Sequence, residues 1–330
     1  MKRIVVLSIL VILSLGGAYY LTMYRGQADS APAHVLLGGL EENASALTAV
    51  TIENAEGVVF SARREQNQWF ATHLDSMLTF PVDMTALSDF VSELTQATVL
   101  EGKTAKASQY SRLGVEPVTQ PGSQGTLITL ASATQQWRVL LGNLASSGMG
   151  RYVREPSQQR SYLIDKPLAL PVGNADWLTK QLITVSVNTL SEVIVDGQEP
   201  FTLFNNSENG EWQLFDVAAS ELAYPGILSQ TLNDIVNVNY DDMRARMPEE
   251  ALGEPIQSIT LSGNNQTLTL GVFAKQQDAS GYLVTIAHEA DGETPWTPEG
   301  IENWVFELTD FQARGLLTLR SDLIRSPEAE

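Results

Sequence analysis

The first pattern along the chain is a long run of apolar residues that no charge interrupts. Ile4 to Tyr24 contains 21 residues without a charged side chain, with Lys2 and Arg3 before it and Arg25 after it. A helix of that length is roughly 31 Å long, which is enough to cross the hydrocarbon core of a bilayer. Two cations before the run and one after it favour a cytoplasmic N-terminus. The pattern predicts a membrane anchor over residues 1–25.

A cleaved signal peptide is the alternative for this segment. Small residues that could form a cleavage site occur at Gly16-Gly17-Ala18 and at Ala31-Pro32-Ala33. Cleavage at the first would leave Tyr19 and Tyr20 at the new N-terminus, and the second lies far beyond the apolar run. We therefore favour the uncleaved anchor. Because the chain contains no cysteine, a lipoprotein is excluded.

After a linker rich in small residues, at 26–46, the pattern becomes a series of short elements. Alternating apolar and polar positions predict a three-stranded meander over 47–72, and Asp83 then caps a helix whose apolar residues recur at the 3.6 period. Leu113-Gly114 is typical of a helix end. A short helix from about Ala175 to Ile183 closes the unit. Between these last two come four predicted strands: Thr126–Leu130, Gln136–Leu141, Arg151–Val153 and Ser161–Ile164.

The second half of the chain repeats this order of elements. Three strands over 191–215 precede a helix that begins at Tyr224-Pro225, with proline in its first turn. Leu252-Gly253 follows, as Leu113-Gly114 does in the first half. A closing helix is predicted at Phe311–Leu317. Before it come four strands: Ser258–Leu261, Thr267–Phe273, Gly281–Ile286 and Trp304–Leu308.

Matching residues of the two halves keep their order with a slowly drifting offset. Trp69 and Trp212 are 143 residues apart, Leu113 and Leu252 are 139 apart, and Tyr152 and Tyr282 are 130 apart. This pattern predicts a tandem duplication. Because helices are few and connections short, each unit is expected to be mainly antiparallel β-sheet of the α+β class, not a doubly wound parallel sheet. The predicted boundaries are 47–186 for the first repeat, 187–320 for the second and 321–330 for an acidic tail.

Composition adds the sign of the electrostatic field and removes several kinds of site. The chain has 39 acidic and 20 basic residues, for a net charge of −19. A field of that sign repels nucleic acid. A hydrophobic content of 43% with 18% charged residues describes a folded chain. The absence of cysteine excludes disulfides, thiolate zinc sites and thiol nucleophiles.

No motif predicts catalysis, a metal or a cofactor. The three histidines, His34, His73 and His288, do not share metal-ligand spacing. The acidic pairs Asp241-Asp242 and Glu249-Glu250 are interpreted as solvated loop charge. The glycine-rich stretch at 148–151 lacks the phosphate-binding lysine motif and is interpreted as a hairpin turn. Four aromatic residues are expected to pack in the core: Trp69, Trp177, Trp212 and Phe311.

One group of cations stands out in this acidic chain. Arg151 and Arg154, with Arg138 and Arg160 on neighbouring predicted strands, form a local basic patch. Guanidinium groups bind carboxylates and phosphates, so this patch is the candidate contact surface for a partner. Internal ion pairs with the abundant Asp and Glu are the alternative.

Several segments resemble the domain of unknown function 4340 family. They are AVTIENAEGVVFSARREQNQWFAT, VDMTALSDFVSELTQATV, the YSRLG segment at Tyr110–Gly114, VLLGN, GRYVR and SYLID. The resemblance covers about residues 47–320. It implies a bacterial protein with one N-terminal membrane helix that accompanies ABC-2-type exporters or auxiliary proteins of gliding-motility-like ABC transporters. It implies no catalytic residues.

Together, these observations lead us to expect a non-catalytic accessory protein of the bacterial inner membrane. Its large domain would lie in the periplasm and bind an ABC transporter permease, an auxiliary subunit or the cargo. Two alternatives remain open. One is a periplasmic hydrolase that uses two carboxylates facing each other across a pocket, and the other is a periplasmic ligand-binding module with a cleft.

Overall fold

The structure is a computed structural model. The structure describes residues 34–171, 173–206, 209–247, 252–275, 280–290 and 295–325. The predicted anchor and Glu249-Glu250 lie outside these ranges. No helix within them combines the length and the hydrophobicity that a bilayer crossing requires.

The described chain forms two compact units. The first contains residues up to Asn67 and Thr85–Leu170, and the second contains Gln68–Met84 and the residues from Pro171 onward. The helices are α1 (Leu40–Asn43), α2 (Met84–Gln96), α3 (Ile227–Val236), α4 (Asp310–Ala313) and α5 (Arg320–Leu323). The strands are β1 (Leu47–Asn54), β2 (Gly57–Glu65), β3 (Gln68–Ala71), β4 (Phe80–Pro81), β5 (Val99–Gly102), β6 (Thr126–Ser132), β7 (Gln136–Leu144), β8 (Arg151–Arg154), β9 (Ser161–Ile164), β10 (Glu192–Gly197), β11 (Phe201–Asn205), β12 (Trp212–Leu214), β13 (Asp242–Ala245), β14 (Gln257–Gly263), β15 (Gln266–Ala274), β16 (Tyr282–Ala290) and β17 (Trp304–Leu308).

The first unit contains an antiparallel sheet with the order β2-β1-β6-β7-β8-β9-β5. Its strands alternate as predicted. In β1, Val50 and Ile52 are buried, and Thr51 between them is partly exposed. Helix α2 occupies the predicted segment and buries Leu87, Phe90 and Leu94, which lie on one face at the 3.6 period.

The second unit contains an antiparallel sheet with the order β12-β11-β10-β14-β15-β16-β17-β13. From β11 to β13 this order corresponds strand for strand to the order from β2 to β5 in the first unit. In both units a helix, α2 or α3, comes directly before the strand at one edge, β5 or β13. The predicted mainly antiparallel α+β fold is confirmed, and the shared order is the one that a tandem duplication predicts.

The core of the second unit includes a segment from the first half of the sequence. Phe80 is fully buried, and its ring centroid lies 5.7 Å from that of Trp304 and 6.0 Å from that of Phe306. The flanking backbone pairs with the same unit, since Asp83 N donates to Trp177 O at 2.9 Å. Residues 68–84 therefore fold with the second unit, an exchange that the predicted contiguous repeats do not contain.

Three local predictions were wrong. The helix expected over 175–183 is only a 3₁₀ turn at Asn174–Trp177, because Thr179 N then donates to Pro81 O and the chain runs extended beside Pro81. Strands β4, β5 and β13 were missed. Phe311 was expected in the core, yet it is 79% exposed, with the guanidinium carbon of Arg314 at 5.8 Å from its ring centroid.

The Phe80 cluster gives a test of the exchange. Phe80→Ala removes a buried ring and leaves a cavity, so we expect the free energy of unfolding of the second unit to fall by about 3–5 kcal/mol. Chemical denaturation of the purified protein measures this change. Met77→Ala, in the same segment but at a position that is 89% exposed, is the control and should change stability by less than about 0.5 kcal/mol. Equal stabilities of the two variants would contradict the exchange.

Candidate functional site

Arg154 is a structural residue of the first unit. It is 5% exposed, its Nε donates to Val115 O at 3.1 Å and its Nη1 donates to Gln158 O at 3.0 Å. Its guanidinium carbon lies 4.5 Å from the centroid of the Tyr110 ring, and the Tyr110 hydroxyl donates to Gln159 O. A guanidinium group can donate several hydrogen bonds at once. The bonds from Arg154 hold the loop from Tyr110 to Val115 against the β8–β9 turn.

Arg151 lies on the other face of the sheet from Arg154. In β8, Arg154 pairs with Leu140 and Arg151 pairs with Ile164, and residues three apart on a strand point to opposite faces. Burial lowers the pKa of Arg151. Arg160 is exposed. Its guanidinium lies beside Gly102, where a Cβ atom would come within 3.1 Å of Nη1. The four predicted arginines therefore do not form one surface.

Arg138 is the predicted contact residue with an open guanidinium. It is exposed and makes no ion pair or side-chain hydrogen bond with any residue that the structure describes. It lines a groove of about 250 Å³ in the first unit, which we call the Arg138 groove. The groove also includes one carboxylate, Glu155, and the apolar residues Leu36, Leu37 and Trp137. The indole Nε1 of Trp137 donates to Gly38 O at 3.1 Å. An apolar wall beside a free cation suits a carboxylate carried by an apolar segment.

The acidic pair Asp241-Asp242 lies close to a half-buried lysine. Lys180 Nζ donates to Tyr240 O at 3.2 Å and lies 4.6 Å from the centroid of the Tyr240 ring. Burial lowers the pKa of Lys180, and four nearby carboxylates oppose that shift: Asp176, Asp241, Asp242 and Asp83. Burial also raises the pKa of Tyr240. The pair thus has an electrostatic partner that the sequence did not reveal.

Three carboxylates line another groove, of about 360 Å³, in the second unit. Asp310 Oδ1 accepts from Gly281 N at 3.1 Å, and Asp322 Oδ2 accepts from Leu319 N at 2.9 Å. Two of the three therefore hold backbone amides, which leaves Asp234 without such a role. This use of the carboxylates gives no support to a pair that performs acid–base chemistry.

The histidines lie apart, and within the described ranges no three His, Asp or Glu side chains are grouped as metal ligands. His34 is exposed and His73 is half-buried. His288 stacks on Trp296 at 6.0 Å, and its Nε2 lies 3.0 Å from Gln266 Oε1. Burial lowers the pKa of His288, which favours the neutral ring in that position.

A cleft of about 620 Å³ lies beside helix α3, and we call it the α3 cleft. The helix forms one wall, and the turn at 185–188 together with the start of β12 forms the other. Its polar and aromatic lining consists of Ser186, Asn188, Glu211, Trp212, Ser229, Asn233 and Asn237. None of these residues was predicted as a site residue. Trp212 was expected in the core and is half-buried.

The helical wall presents side-chain oxygens to the α3 cleft. Ser229, Asn233 and Asn237 are spaced four residues apart, so they lie on one face of α3 and the turn after it. Asn233 Nδ2 donates to Ser229 O at 2.7 Å, and Asn237 Nδ2 donates to Asn233 O at 2.8 Å. Because the amide nitrogens bond to the helix, the two carboxamide oxygens remain as acceptors. The four-residue spacing could be read from the sequence. That this face of α3 borders a cleft depends on the tertiary structure.

These features define a mainly antiparallel α+β protein with two sheets. It has two candidate binding surfaces: the Arg138 groove, and the α3 cleft, whose described lining contains one charged residue. A family model described as Domain of unknown function (DUF4340) matches residues 69–255, which is more than half of the chain. The chain therefore belongs to this family. No curated protein and no solved structure matches it. The matched stretch includes Arg138, Arg154 and helix α3.

The different environments of Arg154 and Arg138 predict different responses to the same substitution. Arg154→Gln leaves the carbonyl of the buried residue Val115 and the carbonyl of Gln158 without their charged donor, so we expect the free energy of unfolding to fall by about 3 kcal/mol. Arg138→Gln removes an exposed side chain and should change stability by less than about 0.5 kcal/mol. Urea denaturation of both variants measures the difference, and similar losses in the two would show that Arg154 has no special structural role.

Proposed function

We propose that the chain is a non-catalytic accessory protein of the bacterial inner membrane. A single N-terminal helix at residues 4–24 tethers it, and both units lie in the periplasm. There it binds an ABC transporter permease, an auxiliary subunit of such a transporter, or the cargo. The uncharged run of 21 residues supports the tether, and membership of the family supports the class of partner through the association that the resemblance implies.

The observation that carries the proposal is the unpaired Arg138. In a chain with 39 acidic residues, an exposed guanidinium has many potential internal partners, yet Arg138 forms no ion pair within the described part. The groove beside it is bordered by Leu36, Leu37 and Trp137. A partner segment with an acidic residue next to an apolar one would satisfy both the cation and the apolar wall.

The position of this groove along the chain suits a partner in the membrane. Residues 25–35 separate the apolar run from Leu36, and 11 extended residues span at most about 40 Å. If residues 4–24 cross the bilayer, the Arg138 groove lies within that distance of the membrane surface. The periplasmic loops of a permease or of a membrane-bound auxiliary subunit are within reach there.

The first prediction concerns topology. The chain has no cysteine, so Met77→Cys introduces a single thiol at a position that is 89% exposed. If the units lie in the periplasm, a membrane-impermeant maleimide labels this thiol in intact spheroplasts. Lys2→Cys, before the apolar run, is the matched control and should react only after lysis. Labelling of Met77→Cys only after lysis would place the units in the cytoplasm and overturn the proposal.

The second prediction concerns the partner. Arg138→Glu reverses the free charge of the groove, so we expect recovery of a permease or auxiliary subunit with the tagged protein from gently solubilised membranes to fall about tenfold or more. Arg246→Glu makes the same charge change at an exposed arginine of the second unit and should leave recovery unchanged. Quantitative mass spectrometry of the purified complexes measures both. Recovery of the parent protein alone, without a transporter component, contradicts the proposal.

A further inference from the structure

We propose that the α3 cleft binds a neutral saccharide. The inference rests on the proposed role of the chain as a binding protein, and it names the class of ligand for a surface separate from the Arg138 groove. The site lies wholly in the second unit, and its lining residues come from α3, the turn at 185–188 and the segment 210–212.

The charges of the lining select against ionic ligands. The described lining contains no Lys, Arg or His, so a phosphate or carboxylate group would find no counter-charge there. Glu211 is the one charged residue of the described lining. Asn209 Nδ2 donates to its Oε2 at 2.9 Å, which holds the carboxylate in place. A single held carboxylate accepts hydrogen bonds from hydroxyl groups as well as from cations.

Side chains of the described lining offer open hydrogen-bonding groups to a ligand. Glu211 N donates to Asn209 Oδ1 at 3.0 Å and Asn188 N donates to Ser186 Oγ at 3.4 Å, so these main-chain donors are already used. A peptide ligand that pairs through its main chain would need free backbone groups on the cleft walls. The carboxamide oxygens of Asn233 and Asn237 instead offer acceptors that hydroxyl groups can reach from several directions.

The cleft also combines an aromatic wall with a suitable volume. Trp212 is half-buried at the start of β12, and its indole nitrogen makes no hydrogen bond within the described ranges. An indole presents an apolar face and one N–H donor, which matches the apolar face and the hydroxyl rim of a sugar ring. The volume of about 620 Å³ lies within the range of small-molecule sites and suits a short oligosaccharide.

The test uses the full-length protein in a detergent that has no sugar headgroup. A panel of neutral trisaccharides of glucose, galactose, mannose and N-acetylglucosamine is titrated by calorimetry, together with glucose 6-phosphate, trialanine and spermidine. We expect at least one neutral trisaccharide to bind and to raise the melting temperature. Trp212→Ala and Asn233→Ala should each weaken that binding about tenfold or more.

Gln96→Ala, an exposed amide at the end of α2, is the matched control and should bind like the parent protein. Asn233→Ala is expected to fold like the parent protein, because the Asn233 side chain donates only to Ser229 O on the exposed face of its own helix. Binding of trialanine or spermidine alone, binding that both variants retain, or no binding by any trisaccharide would each overturn the proposal. Arg138→Glu should retain saccharide binding and Asn233→Ala should retain the transporter component, so failure of this proposal is distinct from failure of the proposed function.

Discussion

Phe80 is encoded in the first half of the sequence, but its ring is buried among the rings of Tyr240, Trp304 and Phe306 in the second unit. Burying an aromatic side chain of this size stabilises a fold by several kcal/mol, which is a large part of the marginal stability of a domain. Residues 68–84, which end at the first residue of α2, therefore belong to the second unit. Part of the core of the second unit thus comes from the first half of the sequence.

Periodicity predicted most strands because each has one buried and one exposed face. It missed β4, which has only two residues. It also missed β5 and β13, because VLEG and DMRA are short and lie at a sheet edge, where their partners, β9 and β17, are distant in sequence. It also predicted a helix after Ala175, where the backbone instead pairs with Pro81 and Asp83. In each case a non-local backbone partner decided the structure, and local pattern carries no information about such a partner.

The arginines show where sequence reasoning about a site stops. The spacing of Arg151 and Arg154 on one strand already indicates opposite faces. The difference between Arg154 and Arg138 could not be read from the sequence. Leu140 pairs with Arg154 and lies two residues after Arg138 on β7, so both arginines are on the same face of the sheet. What separates them is the loop at 110–115, which covers Arg154 and not Arg138. The YSRLG segment, which resembles the family, thus has a structural role, because its Tyr110 ring packs against the guanidinium of Arg154.

The two candidate sites share an electrostatic property that the net charge alone conceals. At physiological ionic strength, exposed charges are screened over about 8 Å, so a site responds mainly to the charges in its own lining. The Arg138 groove has one cation, Arg138, and one carboxylate, Glu155, in its lining. The α3 cleft has Glu211 as the one charged residue of its described lining, in a chain whose net charge is −19. Each lining therefore differs from the acidic average in its own way. A surface that departs from the prevailing charge can select a ligand that the rest of the molecule would repel or ignore, and the two departures select for different chemistry.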